Sequence, residues 1–145
     1  EVLKFIGDAV LAIFRVDPKA PAEACDAALR AARAVDVALW AINASRGHQG
    51  KPLIQHGVGL HVGQVSYGNV GSSERLDFTV IGPAVNMTAR IESLCGRLEQ
   101  SVVMSESFAT QVATSTVCLG SYHLKGMSDA VDVYGVTPHH EAATE

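Results

Sequence analysis

Two short stretches of this 145-residue sequence hold residue types that can do chemistry together. In the first, Lys4 sits inside the apolar run Val2-Leu-Lys-Phe-Ile6, and Asp8 follows it after Gly7. A carboxylate held at a turn is an oxygen ligand for a hard cation such as Mg²⁺, and a lysine ammonium offers three donors to a polar substrate. In the second, Asn86 and Arg90 lie one helical turn apart, so both can address the same object. Arginine keeps its charge at any working pH, which suits charge developing on phosphoryl oxygens. Each pair also has a plainer account. Asp at a turn is a common turn former, and Asn86 with Arg90 can be a solvated helix face.

The elements that must position these residues follow from the pattern. Glu1 to Phe14 reads as two strands joined at Gly7-Asp8, because Gly takes positive φ at the first central position of a tight turn and Asp suits the second. Lys4 then lies in the first strand and Asp8 at the tip. Pro21 opens a helix predicted to run to about Ser45, with Cys25, Ala28, Leu29, Ala32, Val35, Leu39 and Ile42 as its apolar face. Asp26 and Arg30 form an i,i+4 pair on that helix, worth only about 0.3–0.5 kcal/mol if exposed. Residues 46–50 read as a loop, and 52–67 as extended chain whose glycines at 57, 59 and 63 suggest bends or close backbone approach.

The glycine-rich stretch 68–75 lacks the Gly-Lys-Ser/Thr ending of a phosphate-binding P-loop and reads as a turn. Residues 76–81 form a strand that Gly82-Pro83 ends. A helix over 84–97 follows, with Ala84, Met87, Ile91, Leu94 and Cys95 on its buried stripe and Asn86, Arg90, Ser93 and Arg97 opposite. A short strand over 101–104, a helix over 105–113 capped by Ser105, and strands over 116–122 and 130–136 flanking Lys125-Gly126 complete the alternation. The domain is expected over 1–137, with a tail at 138–145.

Composition narrows the class. Hydrophobic residues are 48% and charged residues 18% of the chain, enough for one well-buried core. No apolar run approaches the roughly 20 residues that a membrane helix needs. The net charge of −4, with scattered Lys and Arg, gives no stripe for a phosphate backbone, so nucleic acid is not the expected partner. Three well-separated cysteines, Cys25, Cys95 and Cys118, in apolar surroundings suit reduced thiols and a cytoplasmic setting. His56 and His61 fall on opposite faces of an extended chain, so a zinc site is not expected.

In order and at compatible spacing, LKFIGDAVLAIF, GVGLHVGQVSYGNVGSSERLDFTVIGPAVNMTARIES and YHLKGMSDAVDVYGV resemble the metal-site hairpin, central signature and closing strand pair of the class III nucleotidyl cyclase catalytic domain. The resemblance spans nearly the whole chain. It implies an α/β (α+β) sandwich on a ferredoxin-like βαββαβ core, with active sites formed between two domains arranged head to tail in a homodimer. It implies ATP as substrate, 3′,5′-cyclic AMP and pyrophosphate as products, and two Mg²⁺ or Mn²⁺ ions per site. By position, Asp8 resembles the second of two metal-binding aspartates. Lys4 and Thr79 match the purine-recognising pair, Asn86 and Arg90 the pair that orients the ribose and stabilises the transition state, and Lys125 a triphosphate-binding lysine.

Lysine at position 4 resembles adenylate rather than guanylate cyclases. It offers only donors, which suits adenine N1 and not the guanine N1–H. Thr79 stands where aspartate is commoner, as in a subset that includes the bicarbonate-responsive soluble cyclases. Pro83 stands where an acidic or polar residue is common. The family's first metal aspartate lies on a core strand upstream of the hairpin on which this chain opens, so the resemblance implies that the N-terminal strand and helices belong to a longer sequence, and it leaves open regulatory domains or a membrane anchor at either end. The alternative is a cyclase-homology domain that binds nucleotide or a partner without catalysis.

Overall fold

The computed structural model describes residues 1–137, without the side chains of Leu76 and Phe78; the expected tail at 138–145 lies outside the described residues. In chain order the elements are strands β1 (Val2–Ile6) and β2 (Ala9–Ala12), helix α1 (Pro21–His48), strands β3 (Val58–Leu60), β4 (Ser66–Ser72) and β5 (Arg75–Ile81), helices α2 (Pro83–Glu92) and α3 (Leu94–Leu98), strand β6 (Val102–Ser105), helix α4 (Glu106–Ala109), and strands β7 (Thr116–His123) and β8 (Ala130–Val136).

A four-stranded sheet in the order β3-β6-β8-β7 forms the centre. β3 and β6 run parallel, joined through α2 and α3, whereas β8 is antiparallel to both β6 and β7. β6 is buried along its whole length, and its alternating side chains serve two layers. Val102 and Met104 pack with Cys25, Ala28, Leu29 and Ala32 of α1 and with Phe108 and Ala109 of α4. Val103 faces the other way, into a cluster with Ile91, Leu94, Cys95, Leu124 and Val133. The sheet is thus sandwiched between α1 with α4 and α2 with α3, the mixed α/β architecture expected.

Two hairpins stand beside this sheet, β1–β2 and β4–β5, each a ladder of its own. Gly7 has φ +62° between β1 and β2, as a two-residue turn with glycine first requires. Polar and ring contacts tie the hairpins to each other. Lys4 Nζ lies 2.9 Å from Asp77 Oδ2, Tyr67 donates its hydroxyl hydrogen to Glu1 Oε1 at 3.3 Å, and the Arg15 guanidinium sits 5.5 Å from the Tyr67 ring centre.

Several boundaries differ from the sequence expectation, each for a local reason. α1 continues to His48, so only the end of the expected loop is non-helical; Gly50, with φ +65°, turns the chain back, and the Lys51 N–H bonds to the Arg46 carbonyl. Its expected apolar face is buried only over Cys25 to Ala32, while Val35 and Ile42 are exposed, because the sheet underlies just the first half of the helix. Asp26 does not pair with Arg30; its carboxylate accepts the Ala113 N–H at 3.0 Å and fastens α1 to the chain after α4. Of the extended stretch 52–67, only Val58–Leu60 and the start of β4 are strand. The glycine-rich stretch 68–75 is mostly strand, and only Ser73-Glu74 turns. The helix over 84–97 breaks at Ser93, whose hydroxyl bonds back to the Arg90 carbonyl at 2.6 Å and competes with the helical ladder. Ser105 caps α4 as expected, accepting from Phe108 N, but the helix ends at Ala109.

Close approach explains the glycines around β3. A Cβ on Gly59 would lie 2.6 Å from the Thr88 carbonyl oxygen and 2.7 Å from the Glu92 nitrogen. One on Gly57 would meet Cys95 Cβ at 2.7 Å, and one on Gly63 would meet Ala84 Cβ at 2.8 Å. Bare backbone at these points lets α2 and α3 lie directly on the strand, which sets the height of Asn86 and Arg90 above the sheet.

Candidate active site

The expected site residues fall into two groups and one outlier. The first group lies where β1 meets β5. Thr79, at 7% exposure, pairs across the β4–β5 ladder with Gly68, and Asp77 pairs with Val70. Residues two apart on a strand share a face, so Asp77 and Thr79 point the same way. The Lys4–Asp77 ion pair therefore brings the Lys4 ammonium to the face that bears Thr79. A Cβ on Gly68 would meet nothing within 4 Å, so the ground opposite Thr79 is open.

The second group joins α2 to the β7–β8 connection. Leu124, Lys125, Gly126 and Met127 form a turn closed by the Met127 N–H to the Leu124 carbonyl at 3.1 Å. Gly126 has φ +79°, the value that the third residue of a type II turn needs. Buried Leu124 anchors the turn and leaves Lys125 exposed. The Arg90 guanidinium lies over it: Nη2 is 3.2 Å from where a Gly126 Cβ would be. Asn86 is exposed one turn earlier on the same helix, which begins at Pro83 after the N-cap Gly82, with φ +144°. Arg90 thus meets the Lys125-Gly126 turn, with Asn86 one turn earlier on α2; cationic and amide donors of this kind suit an anion.

Asp8 is exposed at the hairpin tip, and among the described residues no hydrogen bond or ion pair joins it to the other five. No three His, Cys, Asp or Glu side chains among the described residues gather into a metal-binding group. Asp8 by itself supplies one carboxylate, so these residues do not make a complete two-ion site within one chain. Asp8, Asn86 and Lys125 are exposed, Lys4 and Arg90 half-buried and Thr79 buried. A cleft of 430 Å³, bounded by Ile13, Phe14, Arg15 and the first turns of α1, includes none of them.

Sequence reasoning missed Asp77, although its parity with Thr79 was available as a signal. It also missed a polar knot beside β6, where His61 Nδ1 lies 2.8 Å from Ser105 Oγ, and Ser107 Oγ 3.0 Å from the same oxygen. Burial pushes the His61 pKa below its ordinary value. That knot is structural: Ser105 Oγ also caps α4.

A central β3-β6-β8-β7 sheet between two helical layers, with a lysine of one hairpin paired to an aspartate of another and an arginine over a lysine-glycine turn, is the arrangement to be matched. Comparison with known proteins identifies the family. Residues 1–137 match the model of the adenylate and guanylate cyclase catalytic domain, and the chain belongs to that family. It is 36% identical to an adenylate cyclase of Anabaena cylindrica over 92% of this chain and 27% of that protein, and 33% identical to adenylate cyclase 1 of Rhizobium meliloti over 93% of this chain and 20% of that protein. The chain therefore spans about a quarter or less of these relatives. Among solved structures, the adenylyl cyclase CyaB from P. aeruginosa superposes with a TM-score of 0.82 at 25% identity, covering 97% of this chain and 72% of that one. A guanylyl cyclase superposes with a TM-score of 0.74 at 25% identity, covering 97% and 73%. The fold is that of the nucleotidyl cyclase catalytic domains, and the relatives support a cyclase enzyme. Among the described residues no helix is long and apolar enough to cross a membrane.

Proposed function

We propose that the chain is the catalytic domain of an adenylate cyclase, converting ATP to 3′,5′-cyclic AMP and pyrophosphate at a site shared between two copies arranged head to tail. The observation that supports the adenine preference is the Lys4–Asp77 ion pair, which ties Lys4 to β5 two residues from Thr79. A donor-only lysine meets the unprotonated N1 of adenine and opposes the N1–H of guanine, while a threonine hydroxyl both donates and accepts. Arg90 and Lys125 would hold the phosphates, and Asn86 would orient the ribose.

In the reaction, the ribose O3′ forms a bond to the α-phosphorus, the bond from that phosphorus to the bridging oxygen of the β-phosphate breaks, and the O3′ proton is lost. Negative charge grows on the α-phosphoryl oxygens and on the leaving pyrophosphate. The Arg90 guanidinium, braced over the Lys125-Gly126 turn, can meet that charge without reorienting. Asp8 would contribute to holding Mg²⁺ or Mn²⁺ together with a carboxylate from outside the described residues; bound ions of this kind activate a nucleophile and offset leaving-group charge. The separation of Asp8 from the other five residues, and the exposure of Asp8, Asn86 and Lys125, support a site completed by a second copy. The small share of its relatives that the chain spans supports flanking regulatory domains, and its cysteines a cytoplasmic setting.

The test is production of cyclic nucleotide by the full chain with Mn²⁺ and either ATP or GTP. Cyclic AMP should exceed cyclic GMP. Arg90→Ala should lower kcat by about 10²–10³-fold, as for loss of one transition-state donor, with a much smaller change in KM. Product from neither nucleotide in the unaltered protein would overturn the enzyme reading in favour of a cyclase-homology domain.

A further inference from the structure

The Lys4–Asp77 pair bridges residues 73 positions apart and two separate hairpins. We infer that Asp77 is a positioning residue for nucleotide selection: its carboxylate fixes the Lys4 ammonium beside Thr79, so that the remaining donors of Lys4 face the purine. The inference rests on the proposed role of Lys4 in adenine recognition.

Lysine is a flexible side chain with a compact charge, and its large rotamer freedom works against any single hydrogen-bond geometry. Lys4 keeps 31% exposure, so burial alone does not hold it, and Asp77 at 66% exposure is free to follow it only as far as β5 allows. The 2.9 Å contact uses one of the three ammonium hydrogens and leaves two. Across the ladder, Gly68 stands opposite Thr79 with nothing within 4 Å of where its Cβ would be, whereas Val70 stands opposite Asp77. The exposed carboxylate therefore stands two residues along β5 from buried Thr79, where it can orient Lys4. Thr79 has no charge with which to hold a lysine; Asp77 supplies it from the neighbouring position on the same face.

The alternative is that the pair merely docks the two hairpins, as the Arg15–Tyr67 contact does. KM and kcat for ATP and GTP in the full chain, with Mn²⁺, separate the two. Loss of one exposed ion pair predicts that Asp77→Asn raises KM for ATP by about 2- to 5-fold and lowers the ATP-over-GTP preference by a similar factor, with kcat little changed. Asp77→Glu should recover most of the loss. In a Lys4→Ala background, Asp77→Asn should add almost nothing, because the residue acts through Lys4. Arg15→Ala, which loosens the same hairpins without touching Lys4, should leave KM and preference unchanged. Independent, multiplying effects of Lys4→Ala and Asp77→Asn, an Arg15→Ala effect equal to that of Asp77→Asn, or an unchanged KM in Asp77→Asn would each overturn the inference. If Lys4→Ala itself leaves KM and preference unchanged, the proposed role of Lys4 fails first, and the assignment of Asp77 falls with it.

Discussion

Gly59→Ala tests the link from backbone packing to chemistry. The added methyl would lie 2.6 Å from the Thr88 carbonyl oxygen, 2.7 Å from the Glu92 nitrogen and 2.8 Å from Glu92 Cβ. None of these atoms can rotate aside, since all are backbone or the first side-chain carbon. Relief to an ordinary contact of about 3.5 Å requires α2 to retreat from β3 by about 0.9 Å. Overpacking of this kind costs about 1–3 kcal/mol, offset by about 0.4–1 kcal/mol from the stiffer unfolded chain. A net loss of about 1–2 kcal/mol is expected in urea unfolding followed by circular dichroism. Because α2 carries Asn86 and Arg90, the same displacement should lower kcat by about 10- to 100-fold. Gly96→Ala is the control: its Cβ would meet nothing within 4 Å, so it should stabilise α3 by about 0.5–1 kcal/mol and leave turnover alone. If Gly59→Ala unfolds within about 0.5 kcal/mol of the parent and keeps its kcat, α2 does not rest on the β3 backbone at Gly59.

Three further outcomes are expected. Gly126→Ala should lose about 1–2 kcal/mol because φ is +79°, and should also lower kcat because its methyl presses on Arg90; Gly50→Ala, at φ +65° with open space around it, should share the stability loss without the kinetic one. Met104→Ala empties a fully buried position between β6 and α1 and should cost about 2–5 kcal/mol, read from the urea midpoint. Burial lowers the His61 pKa in the folded state, so the unfolded chain binds the proton first, and stability present above about pH 6.5 should fall as pH drops through the lower folded value. His61→Gln should flatten the fall in urea midpoint between about pH 7 and pH 5; equal slopes in the two proteins would refute that account.

Much of the fold was legible because it rests on local rules. Gly7-Asp8 reads as a tight turn between two β-forming runs, Pro21 as a helix start, and Gly82-Pro83 as the end of β5. The residue types of the candidate site were legible too, since Lys4, Thr79, Asn86, Arg90, Lys125 and Asp8 matched a family pattern in order. Element ends were less so: the Ser93 break and the exposure of Val35 and Ile42 depend on a competing hydrogen bond and on how far the sheet extends, neither of which periodicity records.

The sequence by itself determined which side chains are available and which strand face or helix turn each occupies, because the periods of strand and helix are properties of the backbone. Only the tertiary structure decided which of them meet. Lys4 finds Asp77 across 73 residues because two hairpins dock, and Arg90 settles on the Lys125-Gly126 turn because α2 lies on the bare backbone of β3. Such meetings arise from packing between elements distant in the chain, where charge, shape and close approach act through space and leave no local mark in the order of residues.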